Sequence, residues 1–290
     1  MITKTLQNKI DKSLKLIRSV EKTALRYQPY GAVVAFSGGK DSIVLEHLVR
    51  SSGIKHRVEH NLTTIDPPEV VRFIKREYPY CIINRPVRTF WQLCEHTRFL
   101  PTRRVRFCCQ FLKERTGAMT VTLTGVRRSE SHKRKDRDEI LLLTRRRHPQ
   151  FTNGTFDQFS RYQETEVNCI KGKDKIVVNP MLEWTEADVW AYIRHYSLPY
   201  PELYDHGYTR VGCLFCPMAN AKHILRETRD YPKYYQAYLR MIKRIYDSRE
   251  ERGDNQAWHG LTPEQIFHWL ISKKSMQNFR EEIKQPTFDF

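Results

Sequence analysis

The six residues Ser37-Gly38-Gly39-Lys40-Asp41-Ser42 have the types and the spacing to hold an anion. They follow a short apolar run, Ala32 to Phe36, and lead into Ile43-Val44-Leu45-Glu46-His47-Leu48, so the order is strand, glycine turn, helix. Two glycines let the backbone turn tightly and approach an anion without interference from Cβ. The helix that follows points unpaired N–H groups and the positive end of its dipole at the same spot. Lys40 adds a mobile point charge, and Ser37 and Ser42 add hydroxyl donors. Glycine, serine and aspartate also build ordinary turns, but the whole hexapeptide between these two elements reads as a phosphate or sulfate site. Its spacing is not the G-x-x-x-x-G-K-[ST] of loops that serve γ-phosphate chemistry.

A second chemical signal lies in the cysteines. There are seven: Cys81, Cys94, Cys108, Cys109, Cys169, Cys213 and Cys216. Cys108-Cys109 is followed, 103 residues after Cys109, by the C-x-x-C of Cys213 and Cys216. A C-x-x-C pair alone is compatible with zinc, a redox dithiol or iron–sulfur. Four thiolates suit a cubane cluster or a structural zinc ion. Cys81, Cys94 and Cys169 have no partner pattern and read as plain core or surface residues.

These groups need a scaffold, and 290 residues suffice for one large domain or a domain with an appendage. Hydrophobic content of 40% and aromatic content of 12% describe a chain that folds. No run approaches the roughly 18–20 apolar residues of a membrane span, and Met1-Ile2-Thr3-Lys4 leads into a polar amphipathic segment rather than a signal peptide. The expectation is a cytoplasmic protein with no membrane partner. In that compartment the cysteines are not a disulfide framework. The net charge is +17, from 50 Lys and Arg against 33 Asp and Glu, more than a nucleotide pocket requires. The excess points to a polyanionic partner, nucleic acid first.

Along the chain, Leu6, Ile10, Leu14 and Ile17 form one stripe of an N-terminal helix over 3–27. Strands are expected at 32–36, 58–62, 81–84, 121–125 and 176–179, alternating with helices at 42–52, up to about 78, 88–97 and 109–116. Thr185-Glu186-Ala187-Asp188 has the form of a capping box opening a helix to about Tyr196. Alternating strand and helix argues for an α/β fold, a doubly wound parallel sheet covered on both faces. From Asn220 the pattern turns helical, with Tyr234, Tyr235, Tyr238, Ile242 and Ile245 at helical spacing. The expected organisation is an N-terminal helix at 1–30, an α/β domain at 31–219 and a helical appendage at 220–290.

The hexapeptide resembles the PP-loop of the N-type ATP pyrophosphatases and the sulfonucleotide (PAPS/APS) reductases, the adenine nucleotide α-hydrolase-like group. The resemblance extends through Arg106-Phe107-Cys108-Cys109-Gln110-Phe111-Leu112-Lys113, similar to that family's R-x-C-C-x-x-L-K. Thr124-Gly125-Val126-Arg127-Arg128-Ser129-Glu130-Ser131 is similar to its G-x-R-x-x-E-S stretch, and Asn179 to Trp190 to its P-x-x-x-W-x-x-x-D-V-W block. Leu203 to Cys213 is similar to L-Y-x-x-G-Y-x-R-x-G-C, and together the motifs cover about 31–218. The resemblance implies an adenine nucleotide α-hydrolase-like fold. It implies nucleotide contacts from Ser37, Gly38, Gly39, Lys40, Asp41, Ser42, Gly125 and Arg127, with Thr64 and Asp66 at the turn bordering the adenosine. Lys40, Asp41, Arg127 and Arg128 are the residues expected to carry catalysis. It also implies a 4Fe–4S cluster on Cys108, Cys109, Cys213 and Cys216, in preference to zinc.

Two departures matter. The reductases carry a nucleophilic cysteine near their C-terminus, whereas no cysteine follows Cys216 here. Thr63-Thr64-Ile65-Asp66-Pro67-Pro68 stands where the reductases have a D-T-G turn. The expectation is therefore an ATP pyrophosphatase with ATP and Mg2+, Asp41 or Asp66 being magnesium ligands, that activates DNA or tRNA for sulfur transfer. A cysteine desulfurase or another donor would provide the sulfur, and a homodimer is one assembly this allows. The alternatives are a sulfonucleotide reductase and a non-catalytic nucleotide-sensing or nucleic-acid-binding subunit. Arg127, Arg128, Lys133, Arg134, Lys135, Arg137 and Arg145–Arg147 form a basic stretch. Arg103, Arg104 and Arg106 flank the first cysteine pair, and the tail adds Arg226, Arg229, Lys233, Arg240, Lys243 and Arg244 among tyrosines. Arginine beside aromatics can pair phosphate and stack bases.

Overall fold

β-Branched and small apolar residues build a short central strand, β1 (Ala32–Ala35), buried along most of its length. The computed structural model of the chain describes residues 2–114, 119–130, 134–143, 175–272 and 274–284. Two compact units divide it, with interleaved sequence ranges: 1–62, 67–85 and 114–212 form the first, and 63–66, 86–113 and 213–290 the second. The sequence placed contiguous boundaries at 30/31 and 219/220. The chain is partitioned differently because helix α5 (Phe90–Thr97) and the first cysteine pair fall in the same unit as the helical tail.

In the first unit, β1 lies inside a six-stranded sheet with β2 (His56–Asn61), β3 (Ile82–Asn84), β4 (Val121–Leu123), β5 (Ile140–Leu143) and β6 (Lys175–Val178). The order is β3-β2-β1-β4-β6-β5. Every pairing is parallel except β5 with β6, which is antiparallel, with Ile140 opposite Val178. The expected all-parallel sheet is thus closed on one side by an antiparallel edge. No strand was expected at 140–143, because Ile140 to Leu143 is a four-residue apolar run set between charged segments. Its Ile140 is nevertheless fully buried.

Helices α1 (Lys4–Ser19), α2 (Glu21–Tyr27), α3 (Lys40–Ser52), α4 (Pro68–Glu77) and α7 (Glu186–His195) belong to this unit. The single N-terminal helix expected over 3–27 is two helices. Val20 breaks it: its N–H reaches back to Ile17 O at 3.4 Å while its side chain is completely buried. Helix α3 starts at Lys40, two residues earlier than expected, with Gly39 as its N-cap, and ends at Gly53 in the left-handed region. Helix α7 opens with the capping box of Thr185 and Asp188.

The second unit is helical. Helix α5 is followed by a short turn of helix, α6 (Phe107–Cys109), which runs into a π-helical turn at Gln110–Glu114. The tail supplies α8 (Ala221–Asp230), α9 (Pro232–Glu250), α10 (Pro263–Ser272) and α11 (Met276–Lys284). Phe90 and Leu93 of α5, Tyr238, Ile242 and Ile245 of α9, and Ile266 and Phe267 of α10 are buried in its core. Among the described residues, no helix is long and apolar enough to cross a membrane.

Candidate functional site

In the first unit, the chain leaves β1 at its carboxyl end and turns through Phe36–Gly39 into α3. Strands β2 and β4 lie on opposite sides of β1, so the turn sits where the strand order reverses. Open α/β sheets hold ligands at that position. Gly38 has φ +74°, and a Cβ there would meet Ile74 Cδ1 and Val70 Cγ1 at 2.9 Å. Only glycine gives this turn without strain.

The hydroxyls of the hexapeptide close it on itself. Ser37 N–H and Ser37 Oγ both donate to Ser42 Oγ at 3.2 Å, and Ser42 Oγ donates to Gly39 O at 2.8 Å. The backbone N–H of Lys40, at the first turn of α3, donates to Tyr204 Oη at 3.0 Å. Tyr204 comes from the short helical turn Glu202–Tyr204. Burial raises its phenol above the ordinary range, and the Asp41 carboxylate adds to that against the hydrogen bond from Lys40. The Tyr204 hydroxyl therefore keeps its proton while occupying a donor of the anion loop.

Lys40 itself is 4% exposed. Its ammonium donates to Thr209 O at 3.1 Å and lies 3.4 Å from Glu186 Oε1 and 3.7 Å from Asp41 Oδ2. Arg127, also buried, donates through Nε to Asp41 Oδ1 at 2.6 Å and through Nη1 to Ser129 Oγ at 3.0 Å. A Cβ on Gly125 would lie 2.8 Å from Asp41 O, so the end of β4 abuts the start of α3 closely enough to exclude any side chain. Ser37, Gly38, Gly39, Lys40, Asp41, Ser42, Gly125 and Arg127 are thereby brought together. Arg128 is engaged elsewhere: it donates to Arg137 O through Nε and Nη2 and pairs with Glu183. Sequence reasoning missed Tyr204, Thr209 and Glu186. Of these, Tyr204 alone carried a signal, its place in the Leu-Tyr-x-x-Gly-Tyr block.

Thr64 and Asp66 belong to the second unit, with the cysteines. Asp66 accepts from Thr63 N–H and Thr63 Oγ1, both at 2.7 Å, and Thr63 Oγ1 accepts from the Cys213 thiol at 3.3 Å. Thr64 holds φ +65° and accepts from Phe90 N–H at 2.8 Å. The four cysteines share one environment. Cys108 donates to Cys109, and the charges of Cys109, Cys213 and Cys216 act on Cys108 and raise it. Cys109 is lowered, first by that hydrogen bond and then, against burial, by Arg106 and Lys113. Burial pushes Cys213 up, and Lys113 opposes it. Lys113 is in turn raised, chiefly by the charge of Cys213.

Polar contacts hold the second cysteine segment in place. Arg103, counted with the basic surface, instead clips the second cysteine segment, donating to Pro217 O at 2.8 Å and Ala219 O at 3.0 Å. Phe215, inside the C-x-x-C, has φ +55°, and its N–H donates to the buried Glu227 carboxylate at 2.7 Å. Among the described residues, no three ligand-type side chains already stand in a metal-holding arrangement. The free thiols bond to one another and to Thr63 instead. The donor set, four thiols from two clipped segments with Lys113 and Arg106 as counter-charges, fits a four-thiolate centre.

Cys81 and Cys94 are buried, and burial pushes the Cys81 thiol up to about 12 and raises that of Cys94 as well. Cys169, Lys133 and Arg145–Arg147 lie outside the described residues. Several tail cations are locally paired: Arg226 with Asp230, Lys243 with Asp247 and Arg244 with Glu95.

An α/β sheet with a glycine-serine-lysine anion loop at its switch point defines a nucleotide-binding class of protein. Residues 31–219 match the model of the phosphoadenosine phosphosulfate reductase domain, and the chain belongs to that family. It is 27% identical over 263 residues to the uncharacterized protein MJ0973 of Methanocaldococcus jannaschii, covering 87% of this chain and 57% of that protein. It is 24% identical over 217 residues to adenosine 5'-phosphosulfate reductase 2 of Bacillus subtilis, covering 70% and 80%. The chain spans about half the length of the two M. jannaschii relatives it matches, 57% of one and 45% of the other. The phosphoadenylyl-sulfate reductase of Candida auris in its phosphate complex has a TM-score of 0.42 and 19% identity, over 68% of this chain and 93% of that one.

Proposed function

We propose that this chain is an ATP α-hydrolase of the phosphoadenosine phosphosulfate reductase family that activates an oxygen of a nucleic acid for replacement by sulfur. One observation carries the choice over reduction of a sulfonucleotide. Every described thiol outside the four-cysteine set is buried with its proton held on, so none is placed to attack a substrate sulfur. The anion loop needs no thiol. An oxygen of the nucleic acid attacks the α-phosphorus of ATP, the bond from that phosphorus to the α,β-bridging oxygen breaks, and pyrophosphate leaves toward the loop. Lys40, the N–H groups opening α3 and the Tyr204 hydroxyl stabilise the charge growing on it. Arg127 holds Asp41, fixing the first turn of α3.

Magnesium enters as part of the substrate, bound to the phosphates of ATP. Asp41 gives one carboxylate oxygen to Arg127, and Asp66 accepts from Thr63 through both of its oxygens. Cys108, Cys109, Cys213 and Cys216 would hold a 4Fe–4S cluster, whose chemistry when bound is coordination of sulfur at iron. The outer sulfur of a persulfide on a partner such as a cysteine desulfurase attacks the atom bearing the adenylated oxygen, AMP leaves with that oxygen, and a donor thiol then reduces the remaining S–S bond to leave sulfur on the nucleic acid. The net charge of +17 supports a nucleic-acid substrate.

The test uses anaerobically purified protein with α-labelled ATP and magnesium, with DNA, with tRNA and with neither. Release of AMP and pyrophosphate stimulated by one nucleic acid and lost in Lys40→Ala is the expected result. Sulfite released from PAPS or APS with a dithiol donor, without pyrophosphate from ATP, would sink the proposal in favour of reduction.

A further inference from the structure

Tyr238 lies on α9, completely buried in an aromatic box. Its ring centroid is 5.9 Å from Phe90, 6.1 Å from Trp91, 5.7 Å from Phe215 and 5.4 Å from Phe267. Phenylalanine would fill such a box equally well. The hydroxyl is instead buried with no hydrogen-bond partner among the described residues. A buried tyrosine hydroxyl ordinarily finds a partner, because leaving it unpaired costs more than the bond returns. The ring packs on Phe215, one of the two residues between Cys213 and Cys216.

We propose that the Tyr238 hydroxyl donates a hydrogen bond to a sulfur of the metal centre held by Cys108, Cys109, Cys213 and Cys216, making it a positioning residue for that centre. This rests on reading the four cysteines as a metal site. Burial, reinforced by the charges of Cys94, Cys108 and Cys216, keeps the phenol proton in place, so the group is available as a donor. A metal-bound thiolate or sulfide is a good acceptor for such a proton. Outer-shell donors of this kind orient the ligands and tune the metal.

The test compares wild type with Tyr238→Phe in two anaerobic measurements: titration with Co(II), followed by its thiolate charge-transfer bands, and the midpoint potential after reconstitution with iron and sulfide. The metal-free variant should melt no lower than wild type, since only an unpaired hydroxyl is lost. Its Co(II) dissociation constant should rise about tenfold, and its midpoint potential should move negative, because a hydrogen bond to sulfur favours the reduced state. A second variant, Phe267→Leu, disturbs the same box and keeps the hydroxyl; it should lower the melt and leave the potential in place. Equal affinity and potential in Tyr238→Phe and wild type would overturn the proposal alone. So would a shift in Phe267→Leu matching that of Tyr238→Phe. A wild type that takes up neither cobalt nor iron and sulfide would overturn it together with the metal-site reading.

Discussion

Replacing Lys40 by methionine should separate the loop's architecture from its charge. The ammonium has three polar neighbours, Thr209 O at 3.1 Å, Glu186 at 3.4 Å and Asp41 at 3.7 Å, and lies 5.4 Å from the centroid of the Tyr204 ring. Asp41 keeps Arg127 at 2.6 Å when Lys40 is lost, and Glu186, with a side chain 58% exposed, returns to water. Only the bond to Thr209 O is then a real loss, worth about 1 kcal/mol. Removing a buried ammonium offsets part of that by cancelling its desolvation. The variant should therefore fold within about 1 kcal/mol of wild type. Anion binding should behave differently. A hydrogen bond to a charged group is worth about 1.5–3 kcal/mol, so pyrophosphate should bind about 10- to 150-fold more weakly. Turnover should fall further, by about 10²–10³, because the charge that Lys40 meets grows as pyrophosphate departs. Calorimetric titration with pyrophosphate and a thermal melt read the two effects separately. An unchanged Kd in a variant with an unchanged melt would refute the assignment of this lysine to the anion. A melt depressed by several kcal/mol would show that its three contacts hold the fold.

Two further outcomes follow from the geometry. Gly38→Ala forces a side chain into φ +74° and against Ile74 and Val70 at 2.9 Å, and should cost about 2–4 kcal/mol in chemical denaturation; a loss under about 1 kcal/mol would mean that the turn relaxes freely. For Asp188, burial opposes ionisation, but hydrogen bonds from Lys9 and Thr185 outweigh it and hold the carboxyl below its ordinary value. Its contribution is present above the unfolded-state value of about 4 and is lost as pH falls through the lower folded-state value. Wild type should thus lose its advantage over Asp188→Asn as pH drops below about 4, and parallel stability curves would contradict this.

The parts of the molecule that were legible in the sequence are those whose physics is local. Gly38 and Lys40 announce a strand-turn-helix anion loop within six residues, and Thr185 with Asp188 announces a helix start within four. The two cysteine pairs stood out by their spacing, and both fall in the second unit. The acceptor for the Lys40 N–H was not, since Tyr204 lies 164 residues further along the chain. The edge strand β5 was hidden because four apolar residues among charges carry no period to read. Arg103 and Arg128 look like surface charge in sequence, yet each clips backbone carbonyls, and only tertiary contacts distinguish the two uses. The partition of the chain was illegible for the same reason: what joins α5 to the tail is packing between residues more than a hundred positions apart.

That interleaving sets an order on synthesis. Residues 86–113 of the second unit emerge before 114–212 of the first, and 213–290 come last. The 103 residues between Cys109 and Cys213 take roughly 5–20 s to translate at about 5–20 residues per second. Throughout that interval, the strands β4 to β6 are being made while the vicinal thiols wait without Cys213, Cys216, or the Glu227 carboxylate that will hold their turn. The nascent chain therefore carries two adjacent cysteines without their later partners until its last quarter arrives, so the second unit closes only after translation of the tail.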